Sequence, residues 1–204
     1  MWLRRRPLNM EGRNLKIDLA PRNDDTLMKA VALGRQDALK LLMDRYMPMV
    51  SRTAYRILCD REESRDVAQE VFLKVWQKAS RFDERHSVGT WLYRITSNLS
   101  IDRLRRRRIR NIFIPQSSVY EISAPEARSP EEDYMTKEAW DIFCRASENL
   151  SPKQRLVYTL RELEELPAAR VGEITGMTAD QIKSNLSVAR RKIKAELQKY
   201  GKVR

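Results

Sequence analysis

Apolar residues return at three- and four-residue intervals along most of this chain, and at no point do they alternate cleanly with polar ones. That period belongs to helices that bury one face, whereas a half-buried strand needs a period of two. Six glycines among 204 residues leave few places to break a helix. Leu, Arg, Glu, Lys and Ala dominate the remainder and all favour helix. The expected fold class is all-α, with two small helical domains joined by a flexible linker.

The first helical block is expected over 24–111. Asp24 is placed to cap a helix carrying Leu27, Met28, Val31 and Ala32, and Gly34 marks a break. A second helix begins at Asp37, with Pro48 a candidate kink. Asp60 to Glu63 reads as a turn with an acidic first helical turn. A long helix then runs to about Ala79, a loop covers 82–89, and Thr90 caps a further helix that ends in an arginine run. Residues 112–136 change character: Pro115, Pro125 and Pro130 fall among Ser, Glu and Ala, with five acidic residues against one arginine between Gln116 and Asp133. This is the expected linker. The second block covers 137–204, with Trp140 and Phe143 as apolar anchors and a sharp restart at Leu150-Ser151-Pro152, Ser151 capping and Pro152 at the first helical position. Residues 1–23 show no period and read as a basic, mobile arm, within which Met10 is an alternative start.

Lys plus Arg outnumber Asp plus Glu by 40 to 28, a net charge of +12. Such a balance favours polyanionic partners, nucleic acid before an acidic membrane surface. The two cysteines, Cys59 and Cys144, are far apart and form no zinc-type pair. Each sits among apolar neighbours, and both are expected to be buried, reduced thiols of a cytoplasmic protein. With one histidine, His86, and no glycine-rich phosphate loop, no metal site, cofactor or enzymatic centre is expected. No apolar run reaches the ~20 residues that a membrane span needs, and no signal peptide is evident.

Residues 167–197 carry the most specific local pattern. Pro167 opens a short helix with Ala169, Val171 and Ile174. Gly176 sits where a turn needs positive φ, and Thr178 is placed to cap the next helix. On that helix Ile182, Leu186, Ala189 and Ile193 share one narrow face, while Lys183, Ser187, Arg190, Arg191 and Lys194 share the opposite one. The first face buries against the preceding helices. The second offers the cationic and small polar groups that a helix in the major groove requires. A solvated basic face is the alternative.

Two further faces stand out. In the helix from Arg65 to Ala79, Val67, Val71, Phe72, Val75 and Ala79 form the apolar side, with Trp76 at its edge. Opposite them Asp66, Gln69, Glu70, Leu73 and Gln77 cluster. An acidic-polar patch centred on an exposed leucine, in so basic a chain, suits a protein partner; a singly exposed leucine is the bland alternative. Then Thr90-Trp91-Leu92-Tyr93-Arg94-Ile95 precedes Asn98, Asp102 and Arg103, and six arginines occupy eight positions from 103 to 110. Aromatic, amide and guanidinium groups together suit single-stranded nucleic acid, although Trp91 equally suits the core.

The sequence from Asp66 to Trp76 resembles the region-two signature of extracytoplasmic-function sigma factors of the sigma-70 family. Thr90 to Ile95 with Asn98, Asp102 and Arg103 resembles its promoter-melting part, and Leu150-Ser151-Pro152 with the helix-turn-helix resembles region four. The resemblance implies a transcription initiation factor with core RNA polymerase, promoter DNA and an anti-sigma factor as partners, monomeric when free of them. Asp66, Gln69, Glu70 and Leu73 would dock on the polymerase, on its beta-prime clamp, with further contacts to the beta subunit. Trp91, Arg94, Asn98, Arg103, Arg105 and Arg106 would meet the minus-ten element, where an extruded base is captured. Lys183, Ser184, Ser187, Arg190 and Arg191 would meet the minus-thirty-five element. The chain departs from the family's usual pattern at Arg170, Gly172 and Val188. A stand-alone helix-turn-helix regulator is the alternative reading.

Overall fold

A computed structural model of the chain describes residues 23–113 and 130–201. The arm and the proline-bearing centre of the expected linker lie outside the described residues. Eight α-helices account for nearly all of those that are described: α1 (Asp24–Ala32), α2 (Gln36–Leu58), α3 (Arg61–Lys78), α4 (Val88–Phe113), α5 (Pro130–Glu148), α6 (Pro152–Tyr158), α7 (Ala168–Thr175) and α8 (Ala179–Gly201). None of the described helices is long and apolar enough to cross a membrane.

Side chains set most of the boundaries. Asn23, not Asp24, caps α1; its side chain accepts from the Asp25 N–H, and Asp24 and Asp25 occupy the first turn, where their charge suits the helix dipole. Gly34 takes φ +83° at the break. Helix α2 starts at Gln36 and runs through Pro48 to Leu58. Asp60 accepts from the Glu63 N–H and starts α3. Helix α4 begins two residues before the expected Thr90, because the Ser87 hydroxyl accepts from the Thr90 N–H at 3.2 Å and takes the capping role. Ser151 and Gln154 form a reciprocal capping box with Pro152 in the first turn. Thr178 and Gln181 do the same at the start of α8. Gly176 closes α7 with φ +71°.

Helices α1 to α4 enclose one core built on Leu27, Met28, Leu42, Val67, Val71, Phe72 and Leu92. A second core does not respect the expected division. Ile57, Tyr93 and Ile101 from the first unit pack with Leu156, Val157, Leu160, Val171, Ile174, Ile182 and Leu186 from the second. The two helical units are therefore closed on each other along α2 and α4.

The cysteines correct an expectation. Cys59 and Cys144 are not separate thiols but a disulfide, with their Cα atoms 5.7 Å apart. Closure brings the left-handed turn that ends α2, with Cys59 at φ +51°, against the last turns of α5. Sequence spacing could not supply that proximity, since it arises only when the units pack.

Candidate functional site

The three expected surfaces lie on α3, α4 and α8. The core-facing side of α3 is as expected, with Val67, Ala68, Val71, Phe72 and Val75 all buried. That leaves Asp66, Gln69 and Leu73 exposed and Glu70 half-exposed on the outer side. Leu73 is 60% exposed and Trp76 is partly exposed at the edge.

Helix α4 runs beside α3, and its arginines divide between two tasks. Arg103 and Arg107, one turn apart, face α3. Arg103 pairs with Asp66 at 3.6 Å and Glu70 at 3.5 Å. Arg107 pairs with Asp60 and Glu63 at 3.0 and 2.9 Å and donates to the Leu58 carbonyl. Arg105, Arg106, Arg108 and Arg110 are exposed, Arg105 pairing with Asp102 at 3.2 Å. Two of the six positive charges are thus balanced by carboxylates along α3 and at its cap, which relieves part of the repulsion along the run.

At the other end of α4, Trp91 is half-buried and meets Phe82 edge-on at 5.4 Å between ring centres. Leu92 and Tyr93 are buried, while Arg94 and Asn98 are exposed on the same side of the helix. The preceding loop is shaped by Asp83, which grips Arg85 through the side chain and accepts its N–H. That guanidinium holds the Asp83 carboxyl well below the usual carboxylate range.

Helix α8 divides as its period predicts. Ile182, Leu186, Ala189 and Ile193 are buried. Lys183, Ser184, Ser187, Arg190 and Arg191 are all exposed. Arg190 also reaches Glu162 at 2.7 Å. Gly172 serves the turn before α8: a Cβ there would stand 3.3 Å from the Met177 carbonyl.

Closure adds contacts that no motif singled out. Glu164 follows a π-helical segment, Thr159–Leu163, and its side chain is 1% exposed. It accepts from Arg52 at 3.2 Å, Arg56 at 3.1 Å and the Tyr93 hydroxyl at 3.1 Å. Burial raises the Tyr93 hydroxyl above its ordinary pKa, and the Glu164 carboxylate raises it further. Arg170 donates to Ser87 at 3.1 Å, and Arg94 donates to the Glu173 carbonyl at 2.7 Å. Trp140 donates to the Tyr55 hydroxyl at 2.9 Å and stacks on its ring. Tyr93, Arg94 and Trp140 stand out in the sequence for other roles and Arg170 as a departure, while Arg52, Arg56 and Glu164 carry no signal there.

Comparisons place this arrangement. The model of sigma-70 region 2 matches residues 42–109, and that of sigma-70 region 4 matches residues 143–193. The ECF RNA polymerase sigma factor SigW of Bacillus subtilis is 27% identical over 176 residues, covering 83% of this chain and 94% of that protein. The sigma-E factor of Escherichia coli K12 is 29% identical over 184 residues, covering 86% and 94%. Among solved structures, CnrH in complex with the cytosolic domain of CnrY superposes with a TM-score of 0.61 at 20% identity, covering 86% of this chain and 97% of that one. The sigma factor RpoE of Bartonella quintana, with the anti-sigma factor NepR, gives 0.58 at 21%, covering 78% and 96%. With both of its units matched in order and relatives that span most of its length, the chain belongs to the extracytoplasmic-function sigma factors of the sigma-70 family, which direct transcription initiation.

Proposed function

We propose that this sigma factor docks on the beta-prime clamp of core RNA polymerase through the outer side of α3, traps the minus-ten element with α4 and the 82–89 loop, and reads the minus-thirty-five element with α8. The observation that carries the reading is Leu73. It stands exposed on a helix whose opposite side is buried, and Asp66, Gln69 and Glu70 surround it. An apolar centre with a polar rim is the usual anatomy of a protein contact.

The chemistry is binding alone. Arg105 and Arg106 hold phosphates, Asn98 and Arg94 meet base edges, and Trp91, half-buried, offers the exposed part of its ring for stacking. Flipping a base costs a few kcal/mol, which stacking and hydrogen bonds in the pocket must recover. Lys183, Ser184, Ser187, Arg190 and Arg191 present the donors that major-groove reading uses, and Arg103, expected at the minus-ten element, is taken instead to support the docking face through its pairs with Asp66 and Glu70. An anti-sigma factor is a further partner, as it is for RpoE of Bartonella quintana.

The experiment is transcription in vitro with core polymerase and a library of genomic promoters. Specific run-off products that depend on the chain support the reading; tight binding to a palindromic site without polymerase would point to a stand-alone regulator instead. The phosphate role has its own test. Replacing both Arg105 and Arg106 by Ala is expected to weaken promoter binding by the holoenzyme and to lower the slope of log affinity against log salt by about 1.4, at ~0.7 for each single-strand phosphate. An unaltered slope removes that role.

A further inference from the structure

The interface between the two units engages one edge of the surface just assigned to the minus-ten element. Arg94 is engaged by the Glu173 carbonyl, and Ser87, at the end of the loop, is engaged by Arg170 of α7. Gly89 lies against the same guanidinium, at 3.5 Å for a Cβ built there. Geometry opposes the closed form in a second way. Elements at minus ten and minus thirty-five are about 25 base pairs apart, roughly 85 Å at 3.4 Å per pair. A compact chain of this length has a radius of gyration of roughly 17 Å, so its two reading faces must separate to span them.

The disulfide crosses this same interface. Cys59 belongs to the stretch matched as region 2 and Cys144 to that matched as region 4. They are the chain's only cysteines. Arg52, Tyr55, Arg56 and Cys59 form one stripe along α2, and the stripe meets Glu164, Trp140 and Cys144 of the other unit. RNA polymerase works where the thiol pool keeps most cysteines reduced, and disulfides there are as a rule transient and redox-sensing.

We infer that Cys59 and Cys144 form a redox-operated latch that, when oxidised, locks region four against the Arg94 and Ser87 edge of the minus-ten surface and, when reduced, leaves the factor free to open onto polymerase and promoter. The inference rests on the proposed function for the meaning of the engaged edge. The oxidant is a peroxide. One thiolate attacks a peroxide oxygen and the O–O bond breaks, giving a sulfenic acid and water. The second thiolate then attacks that sulfur, the S–O bond breaks, and hydroxide leaves as water with the remaining proton. Two thiols and one hydrogen peroxide thus give one disulfide and two waters. A dithiol reductant reverses the change: it attacks one sulfur, passes through a mixed disulfide, leaves as its own disulfide, and returns a proton to each cysteine. Both sulfurs are buried in the closed form, so the thiols meet the oxidant when the units part and the bond sets when they close.

The test uses the full chain, treated with hydrogen peroxide or with a dithiol. Peptide mapping is expected to find the Cys59–Cys144 cross-link within a single chain after peroxide. Promoter binding by the chain with core polymerase is expected to fall at least about tenfold on oxidation and to recover with the dithiol. Cys59→Ser and, independently, Cys144→Ser are expected to bind equally well in both conditions. No cross-linked peptide after peroxide, or equal promoter binding by the cross-linked and reduced wild type, overturns the latch. Failure of the reduced chain to bind core polymerase condemns the docking reading instead. The latch is then judged on the free chain with Glu164→Gln, whose scattering radius must be compact when oxidised and expanded when reduced; equal radii overturn it.

Discussion

Leu73→Glu is expected to weaken binding to core RNA polymerase by at least about a hundredfold while leaving the fold unchanged. The substitution removes an apolar side chain whose full burial is worth about 1.5–3 kcal/mol. It also places a carboxylate where the proposed contact would exclude water, at a further cost of about 1–3 kcal/mol even with partial pairing. The new charge joins Asp66 and Glu70 on the same side of α3, so the local field turns more negative. Together these reach about 2.5–6 kcal/mol, and each 1.4 kcal/mol is a factor of ten. The helix itself has little reason to respond, since Glu is a good helix former and the site is 60% exposed. Leu33→Glu is the matched control: Leu33 is 82% exposed after α1 and belongs to none of the proposed surfaces. Competition of each variant with labelled wild type for core polymerase reads the effect. An affinity for the Leu73 variant within about threefold of wild type, on the scale where that difference is under 1 kcal/mol, defeats the docking proposal.

The fold was legible because its decisions are local. The apolar faces of α3 and α8 can be counted off the sequence, and the structure buries them. Ser151 with Pro152, Gly176 and Thr178 act through hydrogen bonds or backbone angles within four residues of themselves. Where a local competitor sat nearby, the reading slipped: Ser87 outreached Thr90 as the cap of α4, and Asn23 outreached Asp24 at α1. Closure was not legible, because its partners are distant in sequence. Glu164 is 112 residues from Arg52 and 108 from Arg56, and nothing around a glutamate just after a π-helical segment announces that two arginines await it. The cysteines misled for the same reason. Each is buried among apolar residues, as a free thiol would be, and only the packing of one unit on the other puts them in reach. The arginine run hid a division of labour: positions 103 and 107 share the side of α4 that faces α3, so their charges answer carboxylates of this chain.

That distant triad sets the strength of closure once the disulfide is reduced, and Glu164→Gln is expected to raise the open fraction of the reduced chain by about ten- to a hundredfold. Gln keeps the shape of the side chain, so the π-helical segment and the second core can stay as they are. What changes is the charge. The carboxylate now accepts three hydrogen bonds, two of them from guanidinium groups, and is itself 1% exposed. A hydrogen bond to a charged group contributes about 1.5–3 kcal/mol. Arg52 and Arg56 are 52% and 30% exposed, so water recovers part of their loss, and the net cost is about 1–3 kcal/mol. The amide nitrogen adds a donor facing donors, which favours separation further. The readout is the rate at which an alkylating reagent modifies Cys59 and Cys144 in reduced protein. Both are buried when the units are closed, so modification proceeds through opening and its rate follows the open population. Urea separates opening from unfolding. Parting two preformed units exposes less surface than unfolding them, so the accelerated rate should rise only shallowly with urea, while the global unfolding midpoint keeps its steep dependence. An unchanged rate, or one whose urea dependence matches that of global unfolding, shows that Glu164 does not hold the units together.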